Sequence, residues 1–470
     1  MLKDLIEAAI KVKAQEIFGE KLKYDPQWRG PLAEERVLTD ARFLLYFGIF
    51  FLLWSALAFY AFTYKELDDV LPEGDGWGGH IRRILEVKYV AVGFISLAAL
   101  LIILYIILAR WFPKFILFTA IVSISGLFIA IVCYCPYAYI MYGFGSVFFL
   151  SSLVMAVFCT AQFVILVTNW QEISICSNVI KESSKAILSF PSLFLLPLVE
   201  FLLCVVVAFI TVSVYKFLTS LDAFYVYLFH IINLLGLIWL WSMLAAFSKM
   251  SRFGSYGTWF WTWSKENIPK MTVTRFMGKT LRYHLGTLAL GSLVGPPSRF
   301  VNFVMRIVDT VKNYKNYPEH LKSEPTNLDR FSHNMDSDAY VMTALHSTDF
   351  VNSAEDAFNL QMRNSDNLNV SDVNDTAGFI LRSGKILAVS ITMLLAWLFC
   401  EKDEARNETI YTVLLIGIGC LFVTKSFSTL SRDAVNALFL CVVEDYERND
   451  GSLQRPYYMC PCLRNTLFKK

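Results

Sequence analysis

The sequence predicts an all-α, polytopic helical membrane protein with about 8–10 transmembrane helices and a re-entrant segment, each crossing needing roughly 20 apolar residues. Three observations carry this reading. Hydrophobic residues make up 56% of the 470-residue chain and charged residues only 17%. The apolar residues gather into runs of bilayer length, and the mean hydropathy is +0.48. The connectors alternate between basic and acidic, the asymmetry expected of internal and external loops. Net charge is only +2, so nothing in the balance points to nucleic acid.

In chain order, residues 1–40 are charged throughout and read as a cytosolic segment with a short amphipathic helix, not a cleavable signal. The transmembrane bundle is expected over 41–309. Its spans are Ala41–Thr63, Tyr89–Ala109, Phe115–Pro136, Ser146–Thr168, Pro191 to about Tyr215, and a sixth within 222–263. Between the fourth and fifth spans, Ile173, Cys176, Ile180 and Ile187 recur at helical spacing opposite Glu172, Lys181 and Lys185, which predicts an interfacial amphipathic helix. Segment 284–305 is apolar but basic on both flanks, and Gly295-Pro296-Pro297 breaks it. It reads as a re-entrant pair of short helices, with a kinked full crossing as the alternative. Residues 310–376 are polar, and Phe350, Ala354 and Phe358 at i, i+4 and i+8 predict cytosolic amphipathic helices. The last two spans occupy 377–431, and 432–470 forms a cytosolic tail. Asn407-Glu408-Thr409 is a glycosylation sequon in the acidic loop between those spans. Eight crossings leave both termini cytosolic.

The sixth span organises the rest. At 100° per residue, Tyr227, His230, Trp241, Ser248, Lys249, Arg252, Ser255, Tyr256 and Trp259 fall on one side. Hydrocarbon satisfies no hydrogen bonds, so this stripe is expected to face other helices or a water-filled path. Lys249 and Arg252 could equally mark its cytosolic end. Tyr227, Trp241 and Tyr256 are candidates for an aromatic cage around an ammonium group, which attracts a cation through the ring quadrupole. Glu200, inside the fifth span, is the candidate counter-charge or the partner of Lys249, and His230 lies on the same stripe. Aromatic residues are 15% of the chain, so core packing accounts for such clusters equally well. The tail acids Glu444, Asp445 and Glu447 read as a solvated helix end paired with Arg448. The ten cysteines show no metal spacing, and no nucleophile–base pair or phosphate loop stands out. No enzyme activity and no cofactor are expected. Cys460 and Cys462 in the basic tail are candidates for acylation.

The tail SRDAVNALFLCVVEDYERNDGSLQRPYYM closely resembles the C-terminal signature of the choline transporter-like (solute carrier) family, through Asp433, Phe439-Leu440-Cys441, Glu444-Asp445, Glu447 to Ser452, Pro456, Tyr458 and Met459. Other blocks agree in order. Tyr24-Asp25-Pro26, Gly30-Pro31 and Thr39-Asp40 resemble the family's N-terminal box. Lys181-Glu182, Ser184-Lys185-Ala186 and Pro191-Ser192-Leu193 resemble its mid-chain helix. Arg282-Tyr283-His284, Leu288-Ala289 and Gly291-Ser292-Leu293 resemble its R-Y-H block. The resemblance implies an all-helical carrier of choline or a related small organic cation in a lipid bilayer. The plasma membrane is the expected residence, with a mitochondrial or other organellar membrane as the alternative. A second reading is a non-transporting member serving as a structural or accessory subunit of a larger membrane complex. Lys249 and Arg252, placed where gating or charge matters, separate the two: a cation path would be kept free of unpaired positive charge.

Overall fold

The computed structural model describes residues 18–19, 21–26, 28, 30–32, 35–64, 88–112, 114, 170–221, 226–295, 337–364, 370–400 and 406–467. Every regular element among them is helical: α1 (Ala41–Tyr64), α2 (Lys88–Trp111), α3 (Trp170–Leu188), α4 (Leu196–Thr219), α5 (Val226–Trp261), α6 (Thr272–Tyr283), α7 (Leu285–Gly295), α8 (Ser337–His346), α9 (Phe350–Arg363), α10 (Val370–Cys400), α11 (Arg406–Arg448) and α12 (Pro461–Leu467). Among the described residues six helices are long and apolar enough to cross a membrane. They lie where the first, second, fifth, sixth, seventh and eighth crossings were expected. The expected spans 115–136 and 146–168 lie outside the described residues. The chain is an all-α, multi-pass membrane protein.

The chain divides into two compact units. The first comprises Met1–Gly78, Phe190–Asn367 and Asn436–Cys460. Here α4 packs on α5, α1 on both, and α6 and α8 on α5. A polar link ties the apolar helices together. Trp54 Nε1 on α1 donates to Asn233 Oδ1 on α5 at 3.2 Å, and Asn233 Nδ2 donates to the Thr211 carbonyl of α4 at 2.9 Å. With no water in the hydrocarbon to compete, a buried amide satisfied on both sides fixes the register of three helices. Gly236, one turn from Asn233, makes the approach possible, since a Cβ there would lie 2.4 Å from the Trp54 ring.

Two expectations change in this unit. The sixth span is one helix of 36 residues, about 54 Å long, so it continues well beyond a core of about 30 Å. Its last stretch, Met250–Trp261, is buried throughout. Hydroxyls help that burial: Ser251, Ser255 and Thr258 each donate to the carbonyl one turn back, at 2.8–2.9 Å, so none of these three needs water. Segment 284–305 contributes only α7 to the described residues. At 1.5 Å per residue α7 reaches about 17 Å, half a bilayer core; Pro296, Pro297 and the remainder lie outside the described residues. Phe350, Ala354 and Phe358 are buried along α9, as their spacing predicts.

The second unit comprises Gly79–Ser189, Leu368–Val435 and Pro461–Lys470. Ala98, Val389, Ala396, Val413, Ile416 and Cys420 form its core between α2, α10 and the first part of α11. Beneath them α3 buries Cys176, Ile180 and Ile187 against α2 and α10, while Lys181 and Lys185 stay partly exposed. The tail signature does not begin a separate segment: α11 runs unbroken for 43 residues, carrying the acids on the extension of the last span.

Candidate transport path and polar knot

The stripe on α5 is a row and not a ring. Tyr227 and Tyr256 share a side of the helix, but 29 residues separate them, about 43 Å along the axis. Tyr227 is 71% exposed and Tyr256 wholly buried. Trp241 lies between, half-buried. The structure therefore does not gather Tyr227, Trp241 and Tyr256 into one cage; they mark three heights. His230 belongs to the Tyr227 end, where its ring meets Tyr215 at 5.0 Å between centroids, and its Nδ1 is buried without a hydrogen-bond partner.

Toward the C-terminal part of α5 the charges converge. Arg252, 3% exposed, places Nη1 3.6 Å from Glu200 Oε2 of α4 and donates to Ser248 Oγ. Glu200 thus pairs with Arg252, one turn beyond the partner considered from sequence. Lys249 Nζ donates to Ser337 Oγ at the start of α8, at 3.1 Å. Tyr256 follows Arg252 by one turn. This height carries a partly exposed carboxylate held by a buried guanidinium, with the buried Tyr256 one turn further along α5.

Elsewhere on the same unit, three of the sequence blocks that resemble a family signature, the N-terminal, R-Y-H and tail blocks, take part in a two-part polar knot. The first part joins the N-terminal box to α6, α7 and α9. Thr39 N donates to the Tyr283 carbonyl at 3.0 Å, and Thr39 Oγ1 is 2.9 Å from His284 Nδ1. Asp40 Oδ2 accepts from Thr287 Oγ1 at 2.7 Å and from the Phe350 N–H at 2.9 Å. That second bond places a carboxylate at the positive N-terminus of α9. Asp40 holds φ at 51°, a conformation non-glycine residues adopt rarely, and Asp349 Oδ1 accepts its N–H at 3.0 Å. Gly286 is required: a Cβ there would meet the Asp40 carbonyl at 2.2 Å. Burial first, then Arg36 and Lys279, lowers the His284 pKa to about 3, so this imidazole is neutral.

The second part is built on the end of α11. The Glu447 carboxylate is unexposed and receives Arg363 Nε and Nη2 at 3.0 Å each, Asn364 Nδ2 at 2.7 Å and the Leu22 N–H at 3.1 Å. Glu444, also unexposed, accepts from Arg448 Nε at 2.7 Å, and His346 Nε2 lies 2.9 Å from the same oxygen. Asp445 takes Asn449 Nδ2 at 2.7 Å and the Met459 N–H at 2.8 Å. Trp28 packs edge-on against Trp261 at 4.6 Å, with the Arg448 guanidinium 5.2 Å from its ring. Sequence reasoning took these acids for a solvated helix end; the Arg448 pairing holds, but the acids are buried. Their covering groups, Leu22, Trp28, His346 and Arg363, lie far away in the chain and leave no local signal. Among the described residues no group of three or more His, Cys, Asp or Glu could hold a metal ion.

A family model described as "Plasma-membrane choline transporter" matches residues 153–447. "Choline transporter-like 2" of Anopheles gambiae is 33% identical over 251 residues, covering 52% of this chain and 32% of that protein. "Choline transporter-like protein 2" of Dictyostelium discoideum is 28% identical over 335 residues, covering 66% of this chain and 53% of its own. "Choline transporter-like protein 5" of Xenopus tropicalis is 32% identical over 261 residues, covering 52% and 36%. The matched part therefore spans about a third to a half of the length of these relatives.

Proposed function

The chain belongs to the choline transporter-like family, and from that premise we propose that it carries choline or a related small organic cation across a membrane, with the plasma membrane as its residence. The observation that supports this most is the family match over 153–447, which includes α4 and α5 and so the Glu200–Arg252 pair. A quaternary ammonium donates no hydrogen bond, so its passage needs aromatic faces and a carboxylate. The α5 row supplies both in succession: Tyr227 and His230 at one end, Trp241 midway, and Tyr256 with Glu200 at the inner height. A single high-affinity cage would hold its cargo; stations at three heights pass it on. Arg252 occupies the Glu200 carboxylate at 3.6 Å, so an arriving cation competes with the guanidinium for that charge, and Arg252 acts as the gating residue.

The two cations also support a second reading, a non-transporting subunit of a membrane complex. The pairing of Arg252 with Glu200 weakens it, because a neutralised guanidinium repels an incoming cation far less than an unpaired one. Uptake of labelled choline into vesicles reconstituted with the wild type, Trp241→Ala and Lys249→Gln tests the path. Loss of a cation–π face of about 0.5–2 kcal/mol should weaken apparent affinity about three- to thirtyfold in Trp241→Ala. Lys249→Gln should raise uptake by removing a repulsive charge. Wild-type uptake that neither substitution alters would put the path elsewhere, and transport appearing only in Lys249→Gln would favour the subunit reading.

A further inference from the structure

In the first unit, α6 presents two unlike faces. Thr272, Val273, Phe276 and Thr280 are buried on the side that packs against α5, where Gly254 leaves room for the Phe276 ring. Thr274, Arg275, Gly278, Leu281 and Arg282 are exposed, as are Lys270 and Met271 just before the helix. Of the five cations between Thr262 and Tyr283, two are spent on backbone. Lys265 Nζ donates to the carbonyls of Trp259, Phe260 and Thr262 at the end of α5, and Lys279 Nζ donates to the Leu32 carbonyl at 2.6 Å. Among the described residues Lys270, Arg275 and Arg282 form no ion pair, and Glu266 is the one acid in that stretch of sequence.

Two contacts set the level of this face. The candidate span on α1 begins at Ala41, and Thr39 just before it donates its N–H to the Tyr283 carbonyl at 3.0 Å. The end of α6 therefore shares the level at which the apolar run of α1, and with it the hydrocarbon, begins. The chain then runs back along α5. Phe276 sits at Gly254, whereas the Ala289 carbonyl of α7 accepts from Trp239 Nε1 at 3.1 Å, about 22 Å nearer the start of α5. So α6 leads the chain into the apolar layer, with its outer face at headgroup depth. Arg42, exposed in the first turn of α1, adds a cation at that level. Cations alone would suit a solvated face, but Met271 and Leu281 stand among them 62% and 52% exposed, and Trp263 before them 65% exposed. Apolar side chains interleaved with unpaired cations suit the boundary between headgroups and acyl chains.

We propose that the outer face of α6, with Arg42 at the same level, docks on the headgroups of anionic lipids in the adjoining leaflet. Arg275 and Arg282, two turns apart, take phosphate oxygens in forked pairs, while Leu281 and Met271 enter the boundary layer. The basic connectors expected on the cytosolic side agree with this, because that leaflet carries the anionic lipid. Docking there is independent of what the carrier moves.

Hydrogen–deuterium exchange of the full-length chain in nanodiscs, made of phosphatidylcholine alone or mixed with phosphatidylserine, tests this. Phosphatidylserine should slow exchange over Thr272–Tyr283 by about tenfold or more, at about fivefold for each docked cation, and leave α8 unchanged. In Arg275→Gln with Arg282→Gln most of that difference should vanish, and in Arg275→Lys with Arg282→Lys it should persist. Gly278→Glu adds a repelling charge where a Cβ meets nothing within 4 Å, so the fold is kept and the difference should vanish again. High salt should shrink it in the wild type. A wild type indifferent to phosphatidylserine would overturn the docking surface, as would equal slowing in the wild type, the double glutamine variant and Gly278→Glu.

Discussion

Glu444 brings a carboxylate to a position with no exposure, where Arg448 and His346 both reach one oxygen and the other has no hydrogen-bond partner. Removing its charge while keeping its shape leaves the guanidinium facing a neutral amide in a buried site. Glu444→Gln should therefore cost about 1–3 kcal/mol of stability, while the same change at exposed Glu266 should stay within about 0.5 kcal/mol. Thermal unfolding in detergent measures both, and choline affinity should be unchanged in each. His284 supplies a pH signature. Its folded pKa is lowered to about 3, below the unfolded value of about 6.5, so the folded state loses stability as pH falls below about 6.5, where only the unfolded chain takes the proton. Between pH 7 and pH 5 the wild type should lose about 2 kcal/mol more than His284→Asn; parallel curves would show that the ring titrates normally in the fold. At this scale the sequence was half legible. Arg448 stands one helical turn from Glu444, so that pair could be read directly. The groups that bury it come from 98 residues or more away along the chain (His346, and farther still Trp28), and no local pattern announces them.

Among the elements, α5 shows what periodicity reports and what it omits. Spacing gives the angle around the axis, and the polar side predicted for α5 is where Ser248, Arg252 and Tyr256 are buried. It gives no height, and about 1.5 Å per residue separates the aromatic residues of one stripe into stations about 21 Å apart. Burial along α9 and α3 was legible because each meets its neighbours through a single apolar face. Gly236 was not, since a glycine within an apolar span looks like any other until Trp54 is brought against it. Gly236→Ala should lower the thermal midpoint, at a cost of about 1–3 kcal/mol for forcing a rigid indole aside. Gly48→Ala on α1, where a Cβ meets nothing within 4 Å, should be neutral or slightly stabilising. Equal effects of the two would mean that α1 and α5 do not approach closely at Trp54.

For the molecule as a whole, length and hydropathy sufficed for the class of fold, because a bilayer dictates apolar runs of one length. Parity of the crossings was harder, since it turns on segment 284–305, where basic residues on both flanks and the Pro296-Pro297 break compete as signals. The family could be read from its tail because that block serves as a buried joint, so its acids, amides and aromatics are all constrained at once. The knot accounts for the N-terminal, R-Y-H and tail blocks, and the α5 row supplies chemistry suited to an ammonium ion. The central claim is that the protein moves such an ion. Counterflow of labelled choline in vesicles containing only the purified full-length chain tests it most directly. Choline loaded inside should drive accumulation of external label, Trp241→Ala should require about three- to thirtyfold more choline for the same rate, and an uncharged isostere should not compete. Absence of counterflow by a folded wild-type protein, or equal competition by the uncharged isostere, would contradict it.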